Sequence, residues 1–233
     1  MGSRFALELG AVVKTVAPGR AVLDGASLRV ARGEVVGVAG APGSGKTLLL
    51  HVASGLEAAD AGAVRWFGGR EPPARGVALV PAGAPALLFL TVRETLAVAA
   101  EQVDLAGRTP LDPLMAADAM GLRGALASRI RQLSPPLRVR VAIARALVAG
   151  PRLLLVDAPI DAWEPAARRD LRDCLRPLAD GGLAVVLTAR GVPALAGVAG
   201  RAALLAEGRI GAVVDPWLAV HGRRPPARVA ERG

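Results

Sequence analysis

The chain has 233 residues, 52% of them hydrophobic, enough for one large α/β domain with a subdomain. Its longest uncharged stretch, Gly76 to Val92, is broken by Pro81 and Pro85, so no run is built to cross a bilayer. A net charge of +9 suits an anionic surface, but the arginines are scattered, and three Trp, three Phe and no Tyr leave little for base stacking. That balance argues against nucleic-acid binding and for an arginine-rich surface close to a membrane.

The opening MGSRFALEL carries no long apolar segment of a secretory signal, and the single Cys174 permits no internal disulfide, which fits a reducing cytosol. Phe5–Leu9 and Ser27–Val30 then read as short strands, with Arg32-Gly33-Glu34 as the turn into an apolar strand, Val35 to Ala39. Immediately after it comes Gly40-Ala41-Pro42-Gly43-Ser44-Gly45-Lys46-Thr47, which fits the phosphate-loop pattern G-x-x-x-x-G-K-[ST] at every fixed position. Leu48 to Ala53 follows as a helix. Glycines let successive backbone N–H groups turn inward toward an anion, and the helix N-terminus adds partial positive charge. In that arrangement Lys46 reaches the β- and γ-phosphates and the Thr47 hydroxyl ligates Mg²⁺. Only Lys14 and Lys46 are lysines among 29 basic residues, so an arginine-rich chain has kept a compact ammonium where the motif needs one.

Ala63–Phe67 and Val77–Val80 are further strand candidates, separated by glycine and proline punctuation. From Thr91 to Gly150 the period becomes helical. Thr91-Val-Arg-Glu94 is a capping box opening a helix through about Gln102, Leu114 to Ile130 holds one or two short helices, and Val139 to Ala149 is an apolar helix. The α/β pattern resumes with Leu153–Val156, a buried strand that ends on Asp157. An aspartate directly after four apolar residues is a poor core residue and a good second carboxylate for the metal. His51 and His221 are far apart with no ligand spacing around them, so no metal beyond Mg²⁺ is expected. Glu164–Ala179 reads as an amphipathic helix, Leu183–Thr188 as a buried strand, and Ala202–Ala206 with Arg209–Val214 as a closing hairpin. The Arg/Pro-rich tail after Pro216 is expected to be loose.

The order of these pieces resembles the nucleotide-binding subunit of ATP-binding cassette (ABC) transporters. The resemblance runs over about residues 5–215 and rests on the phosphate loop, Leu90–Leu96, Leu133-Ser-Pro-Pro-Leu137 with Arg140–Leu147, and Leu153–Asp157. It implies an α/β P-loop NTPase fold with a small antiparallel β subdomain and a helical subdomain, here about 84–150 of a single domain over 1–220, with 221–233 as a tail. It implies ATP and Mg²⁺ as cofactors, held by Gly40 to Leu48 with Thr47 and Asp157 on the metal. It also implies a peripheral place on the cytoplasmic face of a membrane, a transmembrane permease subunit as partner, and a second nucleotide-binding subunit, the same or different, dimerised head to tail around two nucleotides.

Set against that family the chain departs at several positions. The catalytic glutamate position holds Ala158, the switch histidine position Ala189, the Q-loop glutamine position Ala82, and the adenine-stacking position near Val16 has no ring. Trp163-Glu164 stands where the family has Leu-Asp, and Leu48 replaces a residue that often supplies a hydroxyl. The LSGGQ signature reads Leu133-Ser134-Pro135-Pro136-Leu137; proline has no N–H, so two anion-binding donors disappear, while Pro136 still makes a good helix start and Ser134 keeps a hydroxyl. The expectation is weak to moderate Mg-ATP binding with negligible hydrolysis, both sites of a dimer impaired, and no catalytic residue in this chain. The alternatives are an active transport ATPase completed by its partner and a free-standing nucleotide-sensing pseudo-ATPase.

Overall fold

The computed structural model describes residues 3–17, 19–71, 76–83, 87–158 and 160–222. Two sheets organise it. A three-stranded antiparallel sheet has the order β2-β1-β4, from β1 (Phe5–Ala17), β2 (Arg20–Ala31) and β4 (Ala61–Trp66). A six-stranded sheet has the order β5-β6-β7-β3-β8-β9, from β3 (Val35–Ala39), β5 (Val77–Val80), β6 (Leu153–Val156), β7 (Ala184–Ala189), β8 (Arg201–Ala206) and β9 (Arg209–Val214). The first five strands in that order run parallel, and β9 returns antiparallel to β8 as the expected hairpin.

Every residue of β6 and β7 is buried, because the sheet is covered on both faces, as a parallel sheet requires. The period of two divides those side chains between two cores. Leu153, Leu155, Ala184 and Val186 pack with Val36 and Val38 against α1 (Lys46–Ser54) and the three-stranded sheet. Leu154, Val156, Val185 and Leu187 point the other way, toward α2 (Val92–Leu105), α3 (Pro113–Ala119), α4 (Pro135–Leu147) and α5 (Pro165–Asp180). Trp66 joins the first core at the end of β4 and donates its indole N–H to the Ala53 carbonyl at 2.6 Å, satisfying one of the orphan acceptors in the last turn of α1.

The capping box forms as its spacing requires: Thr91 N–H donates to Glu94 Oε2 at 2.7 Å and Glu94 N–H to Thr91 Oγ1 at 3.2 Å. Several expectations from the sequence need correction. β1 and β2 are 13 and 12 residues long, far longer than Phe5–Leu9 and Ser27–Val30. Register shifts between Leu9 and Val12 and between Val12 and Val13 break the in-out alternation, so the strands outrun the pattern that reveals them. α4 begins at Pro135, with Ser134 as N-cap, and not at Val139; Pro135 therefore takes the first helical position. The tail is not loose after Pro216. Pro216–His221 is a helix, α7, whose cap Asp215 accepts from the Trp217 and Leu218 amides at 2.9 and 3.1 Å, and Trp217 stacks on His221 with ring centroids 3.9 Å apart. Between β7 and β8, where no element was expected, Gly191 caps one helical turn, α6 (Val192–Leu195). Residues 223–233 of the expected tail lie outside the described residues, as do positions 84–86 at the start of the expected helical segment.

Candidate functional site

The site lies where β3, β7 and β6 deliver their C-terminal ends side by side, which is where open α/β sheets present ligands. The loop Gly40–Gly45 leaves β3, and Gly40 N–H donates to the Ala189 carbonyl of β7 at 3.1 Å, pinning the loop's first residue to the neighbouring strand. A Cβ on Gly40 would sit 2.5 Å from the Leu205 carbonyl oxygen, so this position has no room for any other residue. Gly43 (φ 78°) and Gly45 (φ 99°) take left-handed backbone, which turns the chain into α1. Gly45 caps α1 without a side chain, so no side-chain oxygen caps the amides of the helix's first turn.

Lys46 opens α1, and its ammonium donates to the Gly40 and Ala41 carbonyls at 2.7 and 2.8 Å. Burial depresses the Lys46 ammonium most; the Asp157 and Asp161 charges push it back up, and the Arg190 charge lowers it further. The next residue, Thr47, donates its hydroxyl to Asp157 Oδ2 at 2.7 Å, bridging 110 positions of sequence. Asp157 thus stands at the end of β6 facing the loop. Its other oxygen, Oδ1, accepts from the buried Thr188 hydroxyl of β7 at 2.6 Å. From the sequence Thr188 is expected only as the last residue of the buried strand Leu183–Thr188. Its role depends on β7 lying between β3 and β6, and no local signal reports that order.

The same pair supplies the oxygen donors a hard divalent cation takes. Thr47 and Asp157 present a hydroxyl and a carboxylate oxygen to each other from opposite sides of the site. One or two protein oxygens, with water and phosphate completing the shell, are what Mg²⁺ takes. Among the described residues no cluster of three or more His, Cys, Asp or Glu could hold a metal.

The positions where the chain departs from the family pattern carry inert side chains. Ala158 follows Asp157 and is buried; Ala189 ends β7 and is buried; Ala82 is exposed beyond β5. Val16 is 67% exposed on β1, with no ring to offer. Past Asp157 and Ala158 a cavity of about 620 Å³ opens between β5 and the helices, bounded by Leu88, Thr95, Pro135 and Arg138. At its edge, α4 begins with Pro135 and Pro136, so the amide donors of its first two positions are missing. Ser134 makes no capping bond with its hydroxyl, and the Arg138 amide is already engaged with the Ser134 carbonyl at 3.0 Å. Of the first turn, the Leu137 amide remains for an anion. Trp163 is buried and Glu164 caps α5 without a side-chain bond.

A glycine loop between strand and helix, facing a carboxylate carried on a separate parallel strand, defines a phosphate-loop nucleotide-binding fold. Residues 23–161 match the family model described as ABC transporter, and the chain belongs to that family. It is 36% identical over 205 residues to the sulfate/thiosulfate import ATP-binding protein CysA of Xylella fastidiosa, covering 83% of this chain and 59% of the relative. It is 32% identical to the Nod factor export ATP-binding protein I of Paraburkholderia xenovorans, covering 88% of this chain and 69% of that protein. The chain therefore spans about six tenths of the length of the CysA protein it matches. Solved structures share the fold: MJ1267, an ATP-binding cassette of an ABC transporter, superposes with a TM-score of 0.80 at 20% identity over 93% of this chain and 95% of that one. The cbiO1 protein of Clostridium perfringens, part of the ABC transporter complex cbiONQ, gives 0.77 at 18% identity over 94% and 92%. No helix among the described residues is long and apolar enough to cross a membrane.

Proposed function

We propose that this chain is an ATP-binding subunit of an ABC-type transporter that grips Mg-ATP through Gly40–Leu48 and hydrolyses it poorly or not at all. The observation that carries this reading is the contrast within one site: the Thr47–Asp157 pair is assembled at 2.7 Å, while Ala158 and Ala189 flank it. Within the loop Gly43 and Gly45 would offer backbone amides to the phosphates, Lys46 would exchange its two loop carbonyls for phosphate oxygens, and Thr47 with Asp157 would hold Mg²⁺. A metal held by Thr47 and Asp157 would supply charge neutralisation at the phosphates.

Among the described residues, Ala158 and Ala189 offer no group to orient or deprotonate water. A missing general base costs ~10²–10⁴ in rate, and a missing oriented donor to a transition-state oxygen costs ~10²–10³. These losses are not additive, but either one alone leaves hydrolysis slow. The missing amides at Pro135 and Pro136 extend the defect to the nucleotide of a partner subunit, because that surface would face the partner's phosphate loop. Turnover is impaired on both sides of such a dimer, and the subunit acts as a structural or regulatory half. The sequence span 1–220 forms one nucleotide-binding domain in this reading. Its helical part, about 84–150, meets a transmembrane permease on the cytoplasmic face of the membrane.

The deciding experiment measures Mg-ATP affinity and phosphate release on the same preparation, alone and with its partner subunits, against Lys46→Ala. Binding lost in Lys46→Ala, with release no faster than in that variant, supports the proposal. Magnesium-dependent turnover well above the control refutes the hydrolytic half, and absence of nucleotide binding refutes the rest.

A further inference from the structure

The nucleotide site takes the C-terminal ends of the parallel strands, and their N-terminal ends carry a charged surface with no part in the reading above. There the start of β1 and the ends of β2 and β4 meet the starts of β6 and β8. Arg4 and Arg32 are neighbours, the Arg32 amide donating to the Arg4 carbonyl at 3.1 Å. Two rings place the side chains. The Arg4 and Arg29 guanidinium carbons lie 6.0 and 5.6 Å from the Phe5 centroid, and those of Arg32 and Arg152 lie 5.9 and 3.9 Å from the Phe67 centroid. All four arginines are exposed. Arg152 is held most closely: a Cβ on Gly76 would come within 3.2 Å of its Nε, so the glycine keeps clear the space that the guanidinium needs. Phe67 holds its ring there from a left-handed backbone (φ 53°), an outlier for an aromatic residue, with its amide tied to the Ala6 carbonyl at 3.1 Å.

The chain's own carboxylates show what this rim takes. Glu34 receives the Arg201 guanidinium, Nε to Oε1 at 2.5 Å, and Glu8 meets Arg29 at 3.5 Å. Arg4, Arg32 and Arg152 make no ion pair and no side-chain hydrogen bond among the described residues. Their ring contacts restrict the guanidiniums and leave the N–H donors unspent. Both rings are engaged by arginines, so neither offers a face to a stacking base. We propose that this rim docks an acidic segment of a partner protein, whose Asp and Glu carboxylates pair with Arg4, Arg32 and Arg152, with Arg29 at the border. Such a segment lies at the opposite ends of the strands from Gly40–Thr47, so it binds without blocking the phosphate loop. Because the cations are exposed, the attraction speeds encounter and weakens with salt.

The test is fluorescence anisotropy of a labelled oligoglutamate peptide titrated with the full chain at low salt, thermal melts confirming that each variant is folded. The wild-type chain binds the peptide, and added salt weakens the complex. An exposed pair is worth about twofold, so the triple variant Arg4→Gln, Arg32→Gln, Arg152→Gln loses about tenfold in affinity. Arg4→Gln with Arg32→Gln, which leaves the Arg152 contact with Phe67 intact, loses about fourfold and serves if the triple variant melts early. Arg93→Gln, Arg131→Gln, Arg169→Gln removes the same charge from exposed positions outside the rim and changes affinity by less than about twofold. An equal loss in that control reduces the effect to net charge and overturns the inference, as does a chain that ignores the peptide. Tighter binding of single-stranded oligothymidylate or of phosphatidylglycerol vesicles, lost in the same triple variant, also overturns it and makes the rim a nucleic-acid or membrane face.

Discussion

Replacing Thr188 with valine removes one hydroxyl and almost no volume from the strand between the phosphate loop and Asp157. Thr188 is 2% exposed and Asp157 8%, and the bond between them is 2.6 Å, so water cannot replace the lost donor without opening the sheet. A buried hydrogen bond to a charged acceptor contributes about 1.5–3 kcal/mol, and Asp157 retains its bond from Thr47, so the middle of that range, about 2 kcal/mol, is expected. For a chain of this size the thermal midpoint should fall about 4–8 °C. Thr47→Val is the internal control. Thr47 is exposed, water takes over its bond to Asp157, and the stability cost should stay at about 1 kcal/mol or less, while Mg²⁺-dependent nucleotide binding is lost. The assay is urea or thermal unfolding of both variants beside titrations with Mg-ATP. A Thr188→Val midpoint unchanged from wild type, or a larger stability loss in Thr47→Val, would falsify the view that β7 is the buried brace of the metal-binding carboxylate.

Gly40→Ala places a methyl 2.5 Å from the Leu205 carbonyl oxygen, a backbone atom that cannot swing aside, so the loop must shift; Mg-ATP affinity should drop at least about tenfold, measured by the same titration, with the far-UV spectrum kept. Ala158→Glu should fold with a cost of about 1 kcal/mol or less, because the cavity beyond Ala158 admits the carboxylate and its water; a variant recovered only as aggregate would contradict that geometry. Glu34 gives a pH signature. Burial pushes its carboxyl up, but the Arg201 hydrogen bond at 2.5 Å, the Ala31 amide and the Arg201 and Arg4 charges outweigh it and hold the group below its ordinary 4.5. A depressed carboxylate adds stability that is complete above that ordinary value and disappears as pH falls below 4.5 through the folded value. Glu34→Gln should therefore cost about 1 kcal/mol at neutral pH and flatten the acid limb of a stability–pH curve; an unchanged limb rules the pair out as its source.

Local spacing carries much of this molecule. Gly40 to Thr47 names a phosphate loop because the motif, the strand before it and the helix after it are contiguous. Thr91 and Glu94 announce a helix start because a capping box needs only residues three apart, and β6 is legible as a fully apolar run. The ladder between β1 and β2 was only half visible, since its bulges break the period of two that sequence reading relies on. α7 was hidden in an Arg/Pro-rich tail whose composition outweighed a short cap at Asp215.

The sequence by itself determined that Lys46 and Thr47 sit at the mouth of a helix and that Asp157 ends a buried strand. The order β6-β7-β3 came only with the tertiary structure, and with it the Thr188 brace of Asp157 and the Asp161 carboxylate that accepts from the Arg190 and Gly191 amides. Parallel strands are joined by long crossovers, so which strand lies between two others is settled by how the helices pack onto the sheet and leaves no trace in the residues flanking any one strand.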